Sequence, residues 1–184
     1  GFQVMGLTMR TWDGSLPIPD RGRSGCYGPG EARDLEAARE VARRLGIPHH
    51  EVPLAPEFKN AVLDYFRAEY RRGRTPNPCV RCNQALKFGL LLGKARKLGI
   101  RFDCFATGHY ARVEKPAANG RALLKRARDR RKDQSYFLAR LSQDQLTGLI
   151  LPLGCLDKAQ VKALARRLGW SSHVVSAGAC PVER

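Results

Sequence analysis

The order of elements along this chain predicts an α/β protein built on a doubly wound parallel sheet. Three observations carry the prediction. Short β-prone runs at residues 1–9, 50–54 and 102–108 alternate with stretches of helical periodicity. Their order is strand, helix, strand, helix, helix, strand, the rhythm of a Rossmann-like sheet. Apolar residues make up 43% of the 184, enough to fill one sizeable core.

Each element has a local reason. Gly1-Phe2-Gln3-Val4-Met5-Gly6-Leu7-Thr8-Met9 reads as the first strand. A loop rich in Gly, Pro and Ser follows and carries Cys26. Leu35, Ala38, Ala42 and Leu45 then share one helical face, which Gly46 and Pro48 terminate. Residues 50–54 form a short strand. Pro56 opens a helix reaching Arg72, with Phe58, Val62, Tyr65 and Phe66 inward. A further helix, expected to start at Asn83, turns Leu86, Leu90, Leu91 and Ala95 inward and ends at Gly99. Residues 102–108 read as a buried strand with Cys104 in the core, running into Gly108-His109-Tyr110.

The character changes after Tyr110. Two β-prone runs flank Asn119-Gly120, a strong hairpin signal. Residues 121–132 hold seven basic residues and one acid. Ser142-Gln143-Asp144-Gln145 and Asp157-Lys158-Ala159-Gln160 have capping-box form. Val161, Leu164, Ala165 and Leu168 fall inward on the last helix. The chain therefore divides into an α/β part, residues 1–110, and a basic hairpin with a helical extension, residues 111–184. The lack of an initiator methionine, and the end at Pro181-Val182-Glu183-Arg184, lead us to expect a fragment of a longer protein.

The formal net charge is +16. Such an excess points to a polyanion, most often nucleic acid. The alternative is a basic protein whose charge serves solubility. A membrane partner is not expected: no helix pairs a basic face with a broad apolar one, and no apolar run approaches about 18 residues. With no secretory leader the expected location is the cytoplasm, where the six cysteines would be reduced. They then read as core, metal-binding or catalytic residues.

The densest chemistry lies in Arg74-Thr75-Pro76-Asn77-Pro78-Cys79-Val80-Arg81-Cys82-Asn83. Prolines stiffen the loop, and cations near a helix start favour thiolates. A four-ligand zinc site would need a second Cys or His pair at zinc-ligand spacing, which the chain lacks. A thioredoxin-like motif would open a helix directly after a strand. A catalytic thiol remains, with two incidental loop cysteines as the alternative. Cys180, in Ser176-Ala177-Gly178-Ala179-Cys180-Pro181, could complete a three-cysteine iron–sulfur site or partner a catalytic thiol. His109 follows a strand end, where α/β sites form. Lys132-Asp133-Gln134-Ser135-Tyr136 ends the basic hairpin, where cations would meet phosphates and the Gln134 amide and Tyr136 ring could meet bases.

Gly6-Leu7-Thr8-Met9, Gly73-Arg74-Thr75-Pro76-Asn77-Pro78, Cys82-Asn83, Lys87-Phe88, Ala106-Thr107-Gly108-His109-Tyr110 and Lys132-Asp133-Gln134-Ser135-Tyr136-Phe137-Leu138 occur in this order. Together they resemble the tRNA-specific 2-thiouridylase family, MnmA-type tRNA-uridine 2-sulfurtransferases, over nearly the whole chain. The resemblance implies an adenine nucleotide α-hydrolase-like domain of the PP-loop ATPase type, incomplete over residues 1–110, with tRNA-contacting elements beyond. It implies ATP, with Mg2+, activating the C2 oxygen of a wobble uridine by adenylation. Persulfide sulfur, delivered by a carrier or a cysteine desulfurase relay, then replaces that oxygen.

By position, Cys82 matches the family's nucleophile and Cys180 its persulfide-bearing cysteine, a pair able to form a disulfide. Met9 and Gly108 match residues lining the ATP site. Asn77, Pro78 and Cys79 match the segment facing the target base. His109, Lys132, Asp133 and Gln134 match tRNA contacts. Aspartate is common where Cys79 stands, so a [4Fe–4S] cluster on Cys79, Cys82 and Cys180 is a further expectation. Two departures stand out. The family's SGGxDS phosphate loop would precede Phe2, so this chain alone is expected not to adenylate. Val175, Ala177, Ala179 and Pro181 replace the usual residues around the second cysteine. A non-catalytic RNA-binding remnant is the alternative reading.

Overall fold

The computed structural model describes residues 1–15, 18–20, 26–115 and 120–170. Strand β1 (Gly6–Arg10) and strand β2 (His49–Pro53) run parallel, in register from Gly6 opposite His49 to Arg10 opposite Pro53. Helix α1 (Glu31–Leu45) makes the crossover between them, as a parallel pair requires. Gly46 ends α1 at φ 65°, a left-handed conformation glycine adopts without penalty, and its N–H reaches back to the Arg43 carbonyl.

Helix α2 has three consecutive segments, Ala55–Phe58, Lys59–Asp64 and Tyr65–Arg71, of which the middle one is π-helical. Helix α3 repeats this plan as Pro78–Arg81, π-helical Cys82–Leu90 and Leu91–Lys97. Lys94 and Glu57 join the two helices through an ion pair at 2.7 Å. Val52, Leu54, Phe58, Val62, Leu86, Leu91 and Ala95 form the first core, with Met9 and Cys82 at its margin.

Strand β3 (Phe105–Ala106) pairs in parallel with the late strand β6 (Leu149–Ile150). Strands β4 (Ala111–Glu114) and β5 (Leu123–Arg126) form the antiparallel hairpin expected around Asn119-Gly120, whose asparagine lies outside the described residues. Helices α4 (Ser135–Leu138), α5 (Gln143–Thr147) and α6 (Lys158–Arg167) complete the second region. Both expected capping boxes form, on Ser142 with Gln145 and on Asp157 with Gln160. Phe88, Ala111, Ala122, Leu138, Leu141, Leu146 and Leu149 make the second core. Phe105 packs against both cores and meets Phe88 edge-on, with ring centroids 5.7 Å apart. Gly154 runs so close to β4 that a Cβ there would lie 1.9 Å from the Ala111 carbonyl oxygen.

The chain is thus α/β with parallel strands, as predicted, but the first strand spans Gly6–Arg10 rather than residues 1–9, Leu45 is exposed, and four further local expectations need correction. Helix α3 starts at its Asn77 cap, not at Asn83, which is buried within it. Leu90 is exposed while Phe88 is buried, because the wider π-helical turns shift the inward face relative to a 3.6-residue period. The strand expected over residues 102–108 is reduced to Phe105–Ala106, since β6 offers only two residues to pair, and Cys104 is exposed ahead of it. On α6, Val161 is buried but Leu164 and Leu168 are exposed. Among the described residues no helix is long and apolar enough to cross a membrane.

Candidate functional site

Asn77 sets the cysteine turn. Its Oδ1 accepts the main-chain N–H groups of Cys79 and Val80, both at 3.1 Å, and Pro78 occupies the first helical position. Cys79 and Cys82 therefore lie one turn apart at the start of α3, both half-buried, with Cys82 opening the π-helical segment. The flanking arginines have partners of their own. Arg74 is clamped by Glu69, two N–O distances of 2.6 Å, and this carboxylate raises its pKa. The Arg81 guanidinium lies 5.4 Å from the Tyr65 ring centroid and donates to the Ala61 carbonyl. The helix start adds to the electropositive character expected of this loop.

Two bridges bring distant motifs to this turn. Asn83 Nδ2 donates to the Phe137 carbonyl at 3.2 Å, seating α4 against the first turn of α3. Gln134 N–H donates to the Tyr110 carbonyl at 2.8 Å, while Gln134 Oε1 accepts from Tyr110 N–H at 2.9 Å. Asn77, Pro78, Cys79, Cys82, Gly108, His109, Lys132, Asp133 and Gln134 are thereby joined through α4 and the 108–110 turn. Met9 borders the same core as Cys82. Cys180 lies outside the described residues.

The roles within this group differ. Lys132 is exposed, as are Arg126, Arg128, Arg130 and Arg131, so the basic stretch faces solvent. Asp133 is engaged inward: Oδ1 accepts from Ala127 N–H at 2.7 Å and Oδ2 from the Ser135 hydroxyl at 2.8 Å. Tyr136 is exposed. His109 is half-buried against Phe88, with Nδ1 at 2.9 Å from the Thr107 hydroxyl. Burial, and next the Lys87 cation, push its pKa down to about 4, so the imidazole is neutral at physiological pH.

One residue escaped the sequence reading. Glu31, buried in the first turn of α1, accepts the main-chain N–H groups of Thr11 at 2.6 Å and Trp12 at 3.1 Å. Thr11 Oγ1 lies 2.7 Å from the same carboxylate. The only sequence signal was an acid in a first helical turn, which the helix dipole favours. This has a consequence for ATP. The amides just beyond β1 are already taken by a carboxylate, and a Cβ on exposed Gly108 would meet nothing closer than Leu153 at 3.7 Å. Gly108 leaves room beside its strand end, but no triphosphate cradle is assembled among the described residues.

Among the described residues no group of three His, Cys, Asp or Glu could hold a metal ion, and no disulfide forms. An open groove of about 640 Å³ touching Met5, His49, His50 and Leu98 lies at the amino ends of β1 and β2. That is the end away from Met9, whereas open α/β sheets bind ligands at the carboxyl ends.

A family model described as the tRNA methyl transferase HUP domain matches residues 1–183. The chain belongs to this family. Among similar proteins, one from Endomicrobium trichonymphae, named tRNA-specific 2-thiouridylase MnmA, is 44% identical over 94% of this chain and 48% of its own length. A protein of the same name from Magnetococcus marinus is 48% identical, over 92% of this chain and 45% of its own. Another from Geobacter metallireducens is 47% identical over the same two shares, 92% and 45%. This HUP-domain chain thus spans just under half the length of these relatives. The family assignment agrees with the α/β architecture.

Proposed function

We propose that this chain is the cysteine-bearing, tRNA-facing portion of a tRNA 2-thiouridylase. The observation that carries the reading is the convergence of the Cys79–Cys82 turn with the end of the basic hairpin, through Asn83 to Phe137 and Tyr110 to Gln134. A thiol and a phosphate-binding surface on one body are what sulfur transfer to RNA requires. Relatives that carry the thiouridylase name support it.

In this reading the solvent-facing cations of residues 121–132 hold the tRNA backbone. Asn77, Pro78 and Cys79 face the target base. Lys132 contacts phosphate directly. Asp133 and Gln134 act by shaping the turn that meets the RNA, because their carboxylate and amide oxygens are bound within the protein. Neutral His109 serves as a hydrogen-bonding group. Met9 and Gly108 border the nucleotide that activates the uridine; the phosphate cradle for it is not supplied by the described residues.

Cys180 carries the sulfur as a persulfide, received from a carrier or desulfurase. Its terminal sulfur bonds to C2 of the adenylated uridine, and the C2–O bond breaks so that the oxygen leaves with AMP. The Cys82 thiolate attacks the inner sulfur, breaking the persulfide bond and leaving a Cys82–Cys180 disulfide for an external dithiol to reduce. The setting is the cytoplasm.

The test is nucleoside mass spectrometry of tRNA treated with the full-length protein, ATP and a persulfide source. Cys82→Ala should reduce 2-thiouridine on the order of 10³-fold or more, as loss of a covalent nucleophile does. Undiminished thiolation in that variant would overturn the role given to Cys82. Tight tRNA binding without any thiolation by the unaltered protein would favour the RNA-binding remnant instead.

A further inference from the structure

The helix that carries Cys82 is π-helical from Cys82 to Leu90. Such turns are rare beyond a single turn, and a run of nine residues gains from outside support. That support comes from Gln145, more than fifty residues away. Its Nε2 donates to the Gln84 carbonyl at 2.9 Å and to the Phe88 carbonyl at 3.0 Å. Its Oε1 accepts from Ser142 N–H at 3.0 Å, and its own N–H donates to the Ser142 hydroxyl at 3.3 Å. The capping box of α5 thus fixes the side chain, and the fixed amide spends both hydrogens on α3. Gly89 permits the approach. A Cβ there would sit 3.3 Å from the Gln84 oxygen and 3.7 Å from Gln145 Nε2.

We propose that Gln145 is a positioning residue for Cys82: it holds the widened turns that begin at Cys82 and so fixes how the thiol is presented. The significance of this for catalysis rests on the reading of Cys82 as nucleophile. The geometry itself does not. Asn83, next to Cys82, is tied to Phe137 from the same second region. The thiol is therefore set by bonds reaching across from residues 137 and 145, not by its own loop alone.

Gln145→Glu separates clamp from cap. Glutamate keeps the acceptor for Ser142 and completes the Ser-x-x-Glu form of the capping box. It deletes both donors and turns a carboxylate toward two carbonyls. Ser142→Ala does the converse. The measurement is peptide-resolved alkylation of the full-length protein by a small iodoacetamide, read as the ratio of rates at Cys82 and at exposed Cys155. In Q145E the ratio should rise about fivefold or more as the half-buried thiol is released by local opening. It should fall back toward the wild-type ratio as pH is lowered, because the introduced carboxyl protonates and regains one donor. Ser142→Ala should lower Tm and leave the ratio unchanged.

A ratio in Q145E within about twofold of wild type, or an equal rise in S142A, overturns the proposal; either would mean general loosening or no coupling. Should Q145E fail to fold, Gly89→Ala, which crowds the same carbonyl, carries the same two outcomes. Single-turnover thiolation by Q145E should fall about tenfold, since small misplacements of a reacting group are costly. A shifted alkylation ratio with undiminished thiolation would uphold the positioning of Cys82 and overturn its role as nucleophile.

Discussion

Residues 6–102 and residues 105–170 are held together by different means. The first region rests on apolar burial: Val52, Leu54 and Leu86 are wholly buried, and Phe58, Val62 and Leu91 nearly so. The second has a core of similar make-up, with Phe88 of α3 among its members, and adds several side chains that bind main chain, where the first region has Glu31 and Arg81. Gln143 accepts from Ala122 N–H and donates to its carbonyl. Asp133 takes Ala127 N–H, and Asp129 takes the N–H groups of Arg131 and Lys158. Apolar burial is non-directional and tolerates small displacements. Hydrogen bonds to main chain fix distance and angle. The region that meets the cysteine turn is built with the directional kind, as a surface presenting catalytic and RNA-contacting groups demands.

The largest effect should come from the apolar side of this comparison. Leu86→Ala deletes a fully buried side chain at the centre of the first core. It should cost about 2–5 kcal/mol, from lost transfer energy and the cavity left behind. Chemical denaturation checks it: the midpoint should drop with the slope unchanged. A loss below about 1 kcal/mol would mean that this core collapses freely and that the contrast between regions is misplaced.

His109 probes the second region through pH. Its pKa is about 4 in the folded protein against 6.5 for an unperturbed histidine. A depressed folded value means the unfolded chain binds the proton more readily. The stability from keeping His109 neutral is complete above pH 6.5 and is lost as pH falls toward about 4. Allowing for partial solvent screening, the loss is about 2 kcal/mol. Denaturation of wild type and His109→Gln between pH 7 and 4 should show a wild-type slope that the variant lacks. Parallel profiles would place the imidazole in solvent.

Much of this was legible in sequence wherever the signal was local. Ser142 with Gln145 and Asp157 with Gln160 announced their capping boxes, and Gly46 its helix end. The cysteine turn and Lys132-Asp133-Gln134 were visible as motifs. What stayed hidden depended on partners distant in sequence. Leu90 was placed inward because a 3.6-residue period cannot foresee π-helical turns held open by Gln145. Glu31 looked like an ordinary first-turn acid because its partners are amides of a loop twenty residues earlier. Arg74 and Arg81 looked like neighbours of the thiols alone, yet they also engage Glu69 and Tyr65. Composition supplied the charge. Only the fold showed where each charge is directed.

The smallest effect on stability is expected at the seam between the regions. Asn77 caps the helix that starts with the cysteine turn, accepting from Cys79 and Val80 N–H at its first turn. Asn77→Ala should cost about 1 kcal/mol, the usual value of an N-cap. Pro78 and the Asn83 bridge to Phe137 still hold the turn, so the fold survives. The two released amides then recruit water, and the first turn frays at the residues that carry the thiols. Thiolation by the full-length protein should therefore fall further than the roughly fivefold that about 1 kcal/mol represents, while tRNA affinity, carried mainly by the exposed cations of residues 121–132, falls less than thiolation does. Equal losses in tRNA affinity and thiolation would show that the cap serves RNA binding rather than the thiols, and that the seam belongs functionally to the basic hairpin alone.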